Sequence, residues 1–237
     1  IGEDLENVRV AWRRTVEQGR FAEMSTGGEG LWGFYCMRGW DQEGTEIFRW
    51  SAAQLRNSSN RESETYLRIL GAVLAFQGLC SLSFSEREAQ TVAQESLSIL
   101  RRLPVGKEMI YALQLLVNLS HDEAEKTQIV QECLTIARAV QHSWWIPVCM
   151  LEASELAANR GDYAEAKSLL EEILMLAHHN NYQVSSVQAF IALSQIALLE
   201  GKYAEAQSLA QKALVAAEDT GYTAAKWWIH SAIADSA

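Results

Sequence analysis

The stretch RGDYAEAKSLL, Arg160–Leu170, is written again forty residues later as EGKYAEAQSLA, Glu200–Ala210. Between Arg160–Tyr182 and Glu200–Tyr222, 10 of 23 positions are identical, including Gly161/Gly201, Tyr163/Tyr203 and the whole AEA step. Self-similarity at a period of a few tens of residues marks one supersecondary unit used more than once. In GDYAEAKSLLEEILMLA the glycine is placed to end one helix and Asp162 to cap the next. Tyr163, Ala166, Leu169, Leu170, Ile173 and Leu174 then recur at steps of three and four, the spacing of one helical face. Upstream of each copy, IPVCMLEASELAAN and VQAFIALSQIALLE are equally periodic, with the small residues Ser154 and Ser194 at matching places where two helices must approach closely. Each forty-residue unit is therefore a helix hairpin. A single hairpin cannot bury its own apolar faces, so such units stack into a solenoid.

Degenerate copies precede the clear ones. REAQTVAQESLSIL (Arg87–Leu100) and AEKTQIVQECLTIA (Ala124–Ala137) match the second helix of the unit; YLRILGAVLAFQG (Tyr66–Gly78) and EMIYALQLLVNLS (Glu108–Ser120) match the first. With the second alanine of AEA as ruler, the equivalent residues are Gly44, Ala89, Lys126, Ala166 and Ala206. TAAKWWIHSAIADSA at the end is a first helix without a mate. The expected fold is all-α: a right-handed α-α superhelical solenoid of about eleven helices, with residues 1–60 a helical segment opening the array and residues 61–237 the repeats, as one continuous solenoid. The pattern of small residue, aromatic and alanine resembles the tetratricopeptide repeat (TPR), in a version slightly longer than the usual unit.

Composition agrees with a folded helical chain. It has 237 residues, 49% of them hydrophobic, and only two prolines, Pro104 and Pro147. The net charge of −10 is unevenly placed: residues 1–120 carry 13 basic and 15 acidic side chains, residues 121–237 carry 7 and 15. The second half should repel phosphate backbones, so no nucleic acid is expected as a partner. In the first half Arg13, Arg14, Arg20 and Arg38 are interleaved with Glu3, Asp4, Glu6, Glu17 and Glu23, the pattern of a solvated helix face. No apolar run reaches the roughly 18 residues of a membrane span, and IGEDLENVRV is not a signal peptide. Cys36, Cys80, Cys133 and Cys149 lie outside metal or redox spacings and read as small buried hydrophobes in a reducing, cytoplasmic setting. The start without methionine and the end in mid-pattern suggest a piece of a longer chain.

The N-terminal residues carry a second resemblance. Asp4, Glu6, Asn7, Arg9, Ala11 and Trp12, then Trp32, Phe34, Tyr35, Arg38, Gly39, Glu43 and Gly44, resemble the segment that opens the helical-repeat region of STAND-class signalling ATPases, bacterial regulators in which a nucleotide-binding module precedes a TPR-type sensor. The resemblance implies a sensor or docking function, with the ATPase upstream. STGGEG (Ser25–Gly30) departs from the plain helix expected there and reads as a helix irregularity. GGEG is too short, and lacks the lysine, for a phosphate-binding loop.

No nucleophile, base and orienter set is recognisable, so the chain is read as non-catalytic, with no cofactor and no metal. The adjacent His178 and His179 point in different directions on a helix, which does not make a metal pair, and Asp122 is a capping candidate. In the paired tryptophans Trp144-Trp145 and Trp227-Trp228, one member of each faces inward and the other outward; Trp228 is a candidate exposed anchor. If TPR geometry holds, first helices line a concave groove. Counting from Gly71, Gln114, Ser154 and Ser194 as eighth positions, its residues are Arg68, Glu108, Tyr111, Asn118, Glu155, Gln188 and Gln195. The alternative is a merely solvated face. The fifth positions, Arg68, Tyr111, Leu151 and Ile191, lack the lysine and asparagine clamp with which chaperone-tail TPR domains hold a terminal carboxylate. The expected partner is a protein, a peptide or a small inducer, bound either by the sensor of a STAND ATPase or by a free-standing TPR scaffold.

Overall fold

Glycine and serine punctuation divides the chain into helices with short turns. The computed structural model describes residues 2–57, 63–180 and 183–220, in which eleven helices follow one another: α1 (Gly2–Glu17), α2 (Phe21–Arg38), α3 (Asp41–Asn57), α4 (Glu64–Ser81), α5 (Glu86–Leu100), α6 (Lys107–Leu119), α7 (Glu123–Ala139), α8 (Trp145–Asn159), α9 (Tyr163–Asn180), α10 (Gln183–Leu199) and α11 (Tyr203–Thr220). There is no strand among the described residues. Four turns carry glycine in the left-handed region, Gly19, Gly39, Gly161 and Gly201, with φ between 61° and 81°. At the repeated turn, the Gly161 and Asp162 amides satisfy the carbonyls of Ala158 and Ala157, and Asp162 Oδ1 accepts from the Glu165 amide at 3.0 Å. The residues that end α8 thus also begin α9. Asp122 caps α7 in the same way, through the Ala124 amide at 2.8 Å.

The chain forms two compact units, Ile1–Ile136 and Ala137–Ala237. In both, consecutive helices pack as hairpins and first helices pack on first helices, α2 on α4 and α4 on α6 in the first unit and α8 on α10 in the second. The fold is the all-α array of TPR-like hairpins that the repeat predicts. The ruler residues each stand fourth in a second helix; Gly44, Ala89, Ala166 and Ala206 are buried, and only Lys126 is half-exposed. The four buried positions must be small. A Cβ on Gly44 would lie 2.8 Å from Cys80 Sγ, and Ser194 Oγ donates to the Ala206 carbonyl at 2.8 Å across the α10–α11 contact. Between second helices, Arg49 pairs with Glu88 at 2.7 Å and Arg56 with Glu95 at 2.5 Å, α3 to α5. Such exposed pairs stabilise by at most about 1 kcal/mol each but hold one helix in register on the next.

The structure departs from the sequence reading in two places. STGGEG does not interrupt α2, which runs unbroken from Phe21 to Arg38. Its glycine at 28 is buried, with a built Cβ only 3.3 Å from the Phe76 ring and 3.4 Å from Trp12. The small residue lets α2 lie close on α4. Of the four cysteines, Cys80, Cys133 and Cys149 are buried, but Cys36 is exposed. The apolar stretch around Cys36 belongs to a helix end, where part of the circumference faces solvent.

Candidate binding groove

The residues predicted to line a groove separate into two groups. Arg68, Glu108 and Tyr111, all in the first unit, are tied into the fold. The Arg68 guanidinium donates to Glu64 Oε1 at 2.7 Å, to the Pro104 carbonyl at 2.7 Å and to Glu108 Oε2 at 3.2 Å, so it braces α4 to the α5–α6 loop. Glu108 is 6% exposed and Tyr111 2%. Tyr111 Oη donates to Glu29 Oε2 of α2 at 3.0 Å, and its ring lies 4.7 Å from that of Phe76. Burial, then the carboxylate of Glu29, pushes the Tyr111 hydroxyl well above the ordinary phenol range, so it stays a proton donor. Lys107 Nζ donates to the Ser25 carbonyl at 2.9 Å. Two links therefore run from α2 to α6, over the inner side of α4. In this unit α2 covers the face that the sequence reading left open. Asn118 is exposed and turns its amide back to the Gln114 carbonyl at 2.8 Å.

The second unit behaves differently. Glu155, Gln188 and Gln195 are all exposed, and all three line one groove of about 350 Å³ between α8 and α10. Two helical stripes make its walls: Leu151, Glu152, Glu155, Ala158 and Asn159 from α8, and Gln188, Ala192, Gln195, Ile196 and Leu199 from α10. Leu199 is 66% exposed at its end. The mixture is two carboxylates, three amides and an apolar floor, with no lysine or arginine among the lining residues. Such a surface can pair with backbone amides and carbonyls and accept a cationic or apolar side chain. Sequence reasoning missed Glu152, Asn159 and Leu199. The signal that finds them is the step of three or four from a residue already selected, 152–155–159 and 188–192–195–199, which continues each stripe along its helix.

A second cleft, of about 480 Å³, lies between α1 and α3. It is lined by charges of both signs that answer one another. Arg9 Nε donates to Tyr35 Oη at 3.0 Å, and Arg13 stands over the Trp50 ring at 5.8 Å, while Glu6, Glu43 and Glu46 supply the opposite sign. The hydrogen bond to Tyr35, and then Glu6 and Glu43, hold the Arg9 guanidinium even more firmly protonated than usual. This neutralised surface presents no single-sign field, in contrast to the α8–α10 groove. Trp145 is 2% exposed and Trp144 48%, the inward and outward pair expected from their adjacency. Trp228 lies outside the described residues. Among the described residues no three His, Cys, Asp or Glu side chains come together as a metal site, and no helix is long and apolar enough to cross a membrane.

No protein-family model matches the chain, and no curated protein matches it. Among solved structures it is similar to a signal transduction ATPase with numerous domains (STAND) protein with a tetratricopeptide repeat sensor, from Pyrococcus horikoshii, with a TM-score of 0.63 and 11% identity. The match covers 98% of this chain and 34% of that one, so this chain spans about a third of its length. At that identity the likeness speaks for the fold alone: this chain is an array of TPR-like helix hairpins, resembling in architecture a STAND protein that carries a TPR sensor.

Proposed function

We propose that this chain is a non-catalytic recognition module that binds an extended segment of a protein or peptide in the α8–α10 groove, and that it serves as the sensor region of a longer STAND-type signalling ATPase, passing occupancy to that ATPase in a regulatory, cytoplasmic pathway. The observation that carries the binding reading is the convergence of Glu155, Gln188 and Gln195, residues up to forty positions apart, on one open groove with exposed polar walls and an apolar floor. An extended chain offers the amide and carbonyl groups that three side-chain amides can pair with, and its side chains can alternate onto the apolar floor. The exposed Glu155 carboxylate in the groove wall favours a ligand that is neutral or basic at this point. The sensor reading is supported by the Asp4-to-Gly44 motif and by the fold shared with a STAND protein. A free-standing TPR scaffold is the second reading, and a gene in which a nucleotide-binding module precedes Ile1 decides against it.

The groove is tested with an array of ten-residue peptides of varied composition, probed with the purified chain. Glu155→Ala and Gln195→Ala are expected to weaken the peptides that bind by roughly tenfold or more, the range of a central contact. Glu171→Ala, exposed on α9 outside the groove, is expected to bind as wild type. If no peptide binds while a small polar molecule does, the site is an inducer pocket; its volume lies at the small end of such sites, about 300–1,000 Å³. If the groove variants match wild type and Glu171→Ala loses affinity, the working surface is elsewhere.

A further inference from the structure

We infer that the cleft between α1 and α3 in the first unit is a binding site in its own right, and that its ligand is a free peptide of about two or three residues held by both charged ends. Its volume of about 480 Å³ falls within the range of small-molecule sites, roughly 300–1,000 Å³. Glu6, Arg9 and Arg13 line it from α1 and Glu43, Glu46 and Trp50 from α3, with the buried Tyr35 and Ile47 between them. Four of these, Glu6, Arg9, Tyr35 and Glu43, belong to the N-terminal motif, whose residues converge here from three helices. Two contacts set the register of the walls: Trp12 Nε1 donates to Ser51 Oγ at 2.9 Å, and the Arg13 guanidinium lies over the Trp50 ring at 5.8 Å. Because α1, α2 and α3 pack as successive hairpins, α1 and α3 run in the same direction. Glu43 therefore lies about 10 Å, and Glu46 about 6 Å, nearer the N-terminal end of the cleft than Trp50 and Arg13, at 1.5 Å per residue. Arg9, between the ends, is engaged by Tyr35 Oη at 3.0 Å and by Glu6 at 3.7 Å. One end of the cleft is acidic and the other ends in a guanidinium.

The charges at those two ends are not tied up in direct contacts. Among the described residues the Arg13 side chain makes no ion pair, and the Glu43 and Glu46 side chains make neither an ion pair nor a hydrogen bond. A guanidinium stacked on an indole keeps its in-plane N–H donors pointing outward, and that planar fork matches a carboxylate. Glu43 and Glu46, one turn apart on α3, offer two carboxylates to an ammonium group. Ile47 and the Trp50 ring, on the same helix, supply apolar surface for a side chain between the ends. Two or three extended residues, at about 3.4 Å each, with a hydrogen bond at each end, span the roughly 10 Å from acid to base. A simple anion would face the carboxylates and a simple cation would leave Arg13 unanswered. A ligand with both signs at that separation answers both ends. A longer peptide cannot place both its termini in the cleft without looping out.

The experiment titrates the purified chain by calorimetry, up to millimolar ligand, with the tripeptide Ala-Leu-Ala, its N-acetylated form, its C-terminal amide and the doubled peptide Ala-Leu-Ala-Ala-Leu-Ala. The free tripeptide is expected to bind, and blocking either end, or doubling the length, to weaken it by roughly tenfold or more, the effect of losing one charged hydrogen-bonding group. Arg13→Gln is expected to weaken the free tripeptide by a similar factor while leaving the amide unchanged. Glu43→Gln should do the same with the acetylated form as the indifferent ligand. Both side chains are exposed, so both variants should melt with wild type, and Glu171→Ala on α9 should bind the tripeptide as wild type does. A tripeptide that does not bind, or that binds equally well with its ends blocked, overturns the inference. So does binding that survives Arg13→Gln and falls with Glu155→Ala, which would put the peptide in the α8–α10 groove; the wild-type titrations decide by themselves, even if a variant fails to fold.

Discussion

The two units follow one repeat formula and treat their first helices in opposite ways. In the first unit the inner side of α4 and α6 is aromatic: Phe76 stacks at 5.8 Å on Trp32 of α2 and lies 5.4 Å from Phe48 and 4.7 Å from Tyr111. Rings of that size gain most when water is excluded from them, and α2 supplies the cover, held by Glu29 and by the Ser25 carbonyl. In the second unit the core at α10–α11 is Val187, Ala210, Ala213 and Ala217, with Phe190, Ile191 and Leu214 at its margin. Alanines bring helices close without filling the space beside them, and the α8–α10 groove stays open. The hairpin formula, glycine at the turn and a small residue at the fourth position, builds both scaffolds. Residues outside the formula decide whether a face is partnered by the chain itself or left for something else.

The sharpest way to break this contrast is to empty the aromatic cluster. Phe76→Ala removes a ring that is 3% exposed, and the expected loss is about 3 to 5 kcal/mol, read by thermal or urea unfolding. Hydrogen exchange should accelerate in α2 at the same time, since its cover rests on that ring. Unaltered exchange in α2 would show that Phe76 does not hold it. In the second unit the corresponding test fills space. Ala166→Leu, at a fully buried fourth position, is expected to cost about 1 to 3 kcal/mol through overpacking. An unchanged melting temperature would mean that the fourth position is not where the two helices meet. Tyr111→Phe keeps the ring but removes a donor from the half-buried Glu29 carboxylate. Its expected cost is about 1 to 2 kcal/mol. The open groove of the second unit should be unaffected, and peptide binding that falls with Tyr111→Phe would place the first unit in the site.

These particular residues also show what was legible beforehand. Helices, turns and the fourth-position rule could be read because each rests on local chemistry: Gly161 and Gly201 must take positive φ, Asp162 must cap, Ala166 and Ala206 must be small. The inner face could be read only as a register. Counting along α4 and α6 selected Arg68, Glu108 and Tyr111, but nothing local to those helices reveals that Glu29 and Ser25, some eighty residues earlier than Lys107 and Tyr111, come to meet them. STGGEG looked like an interruption for the same reason. The use of Gly28 is a tertiary contact with Phe76 and Trp12, and the low helix propensity of glycine is the part visible in isolation. In the second unit Glu155, Gln188 and Gln195 are exposed and line one groove, so there the register of each helix coincides with an open surface.

The smallest expected effect concerns how the second unit is held at its surface. Glu200, at the turn between α10 and α11, accepts from Lys167 of α9 and, at 3.0 Å, from Lys202. The Lys167 contact first, then Lys202, holds the Glu200 carboxyl below its ordinary range. A carboxyl whose folded pKa lies below its unfolded value, about 4.3 for glutamate, contributes stability that is fully present above that unfolded value and disappears as pH falls through the folded one. The melting temperature of wild type should therefore exceed that of Glu200→Gln by a small, constant margin from neutral pH to about pH 5, and the margin should close in more acid solution. Added salt should narrow it at neutral pH, because the groups are solvated and screened. Glu171→Gln, on the exposed side of α9, should show no such margin. A gap that widens on acidification would mean that the carboxylate is not stabilised by its two lysines. The alanine core of α10 and α11 would then hold that turn without help from its charges, and the second unit would be closer in kind to the first than its open groove suggests.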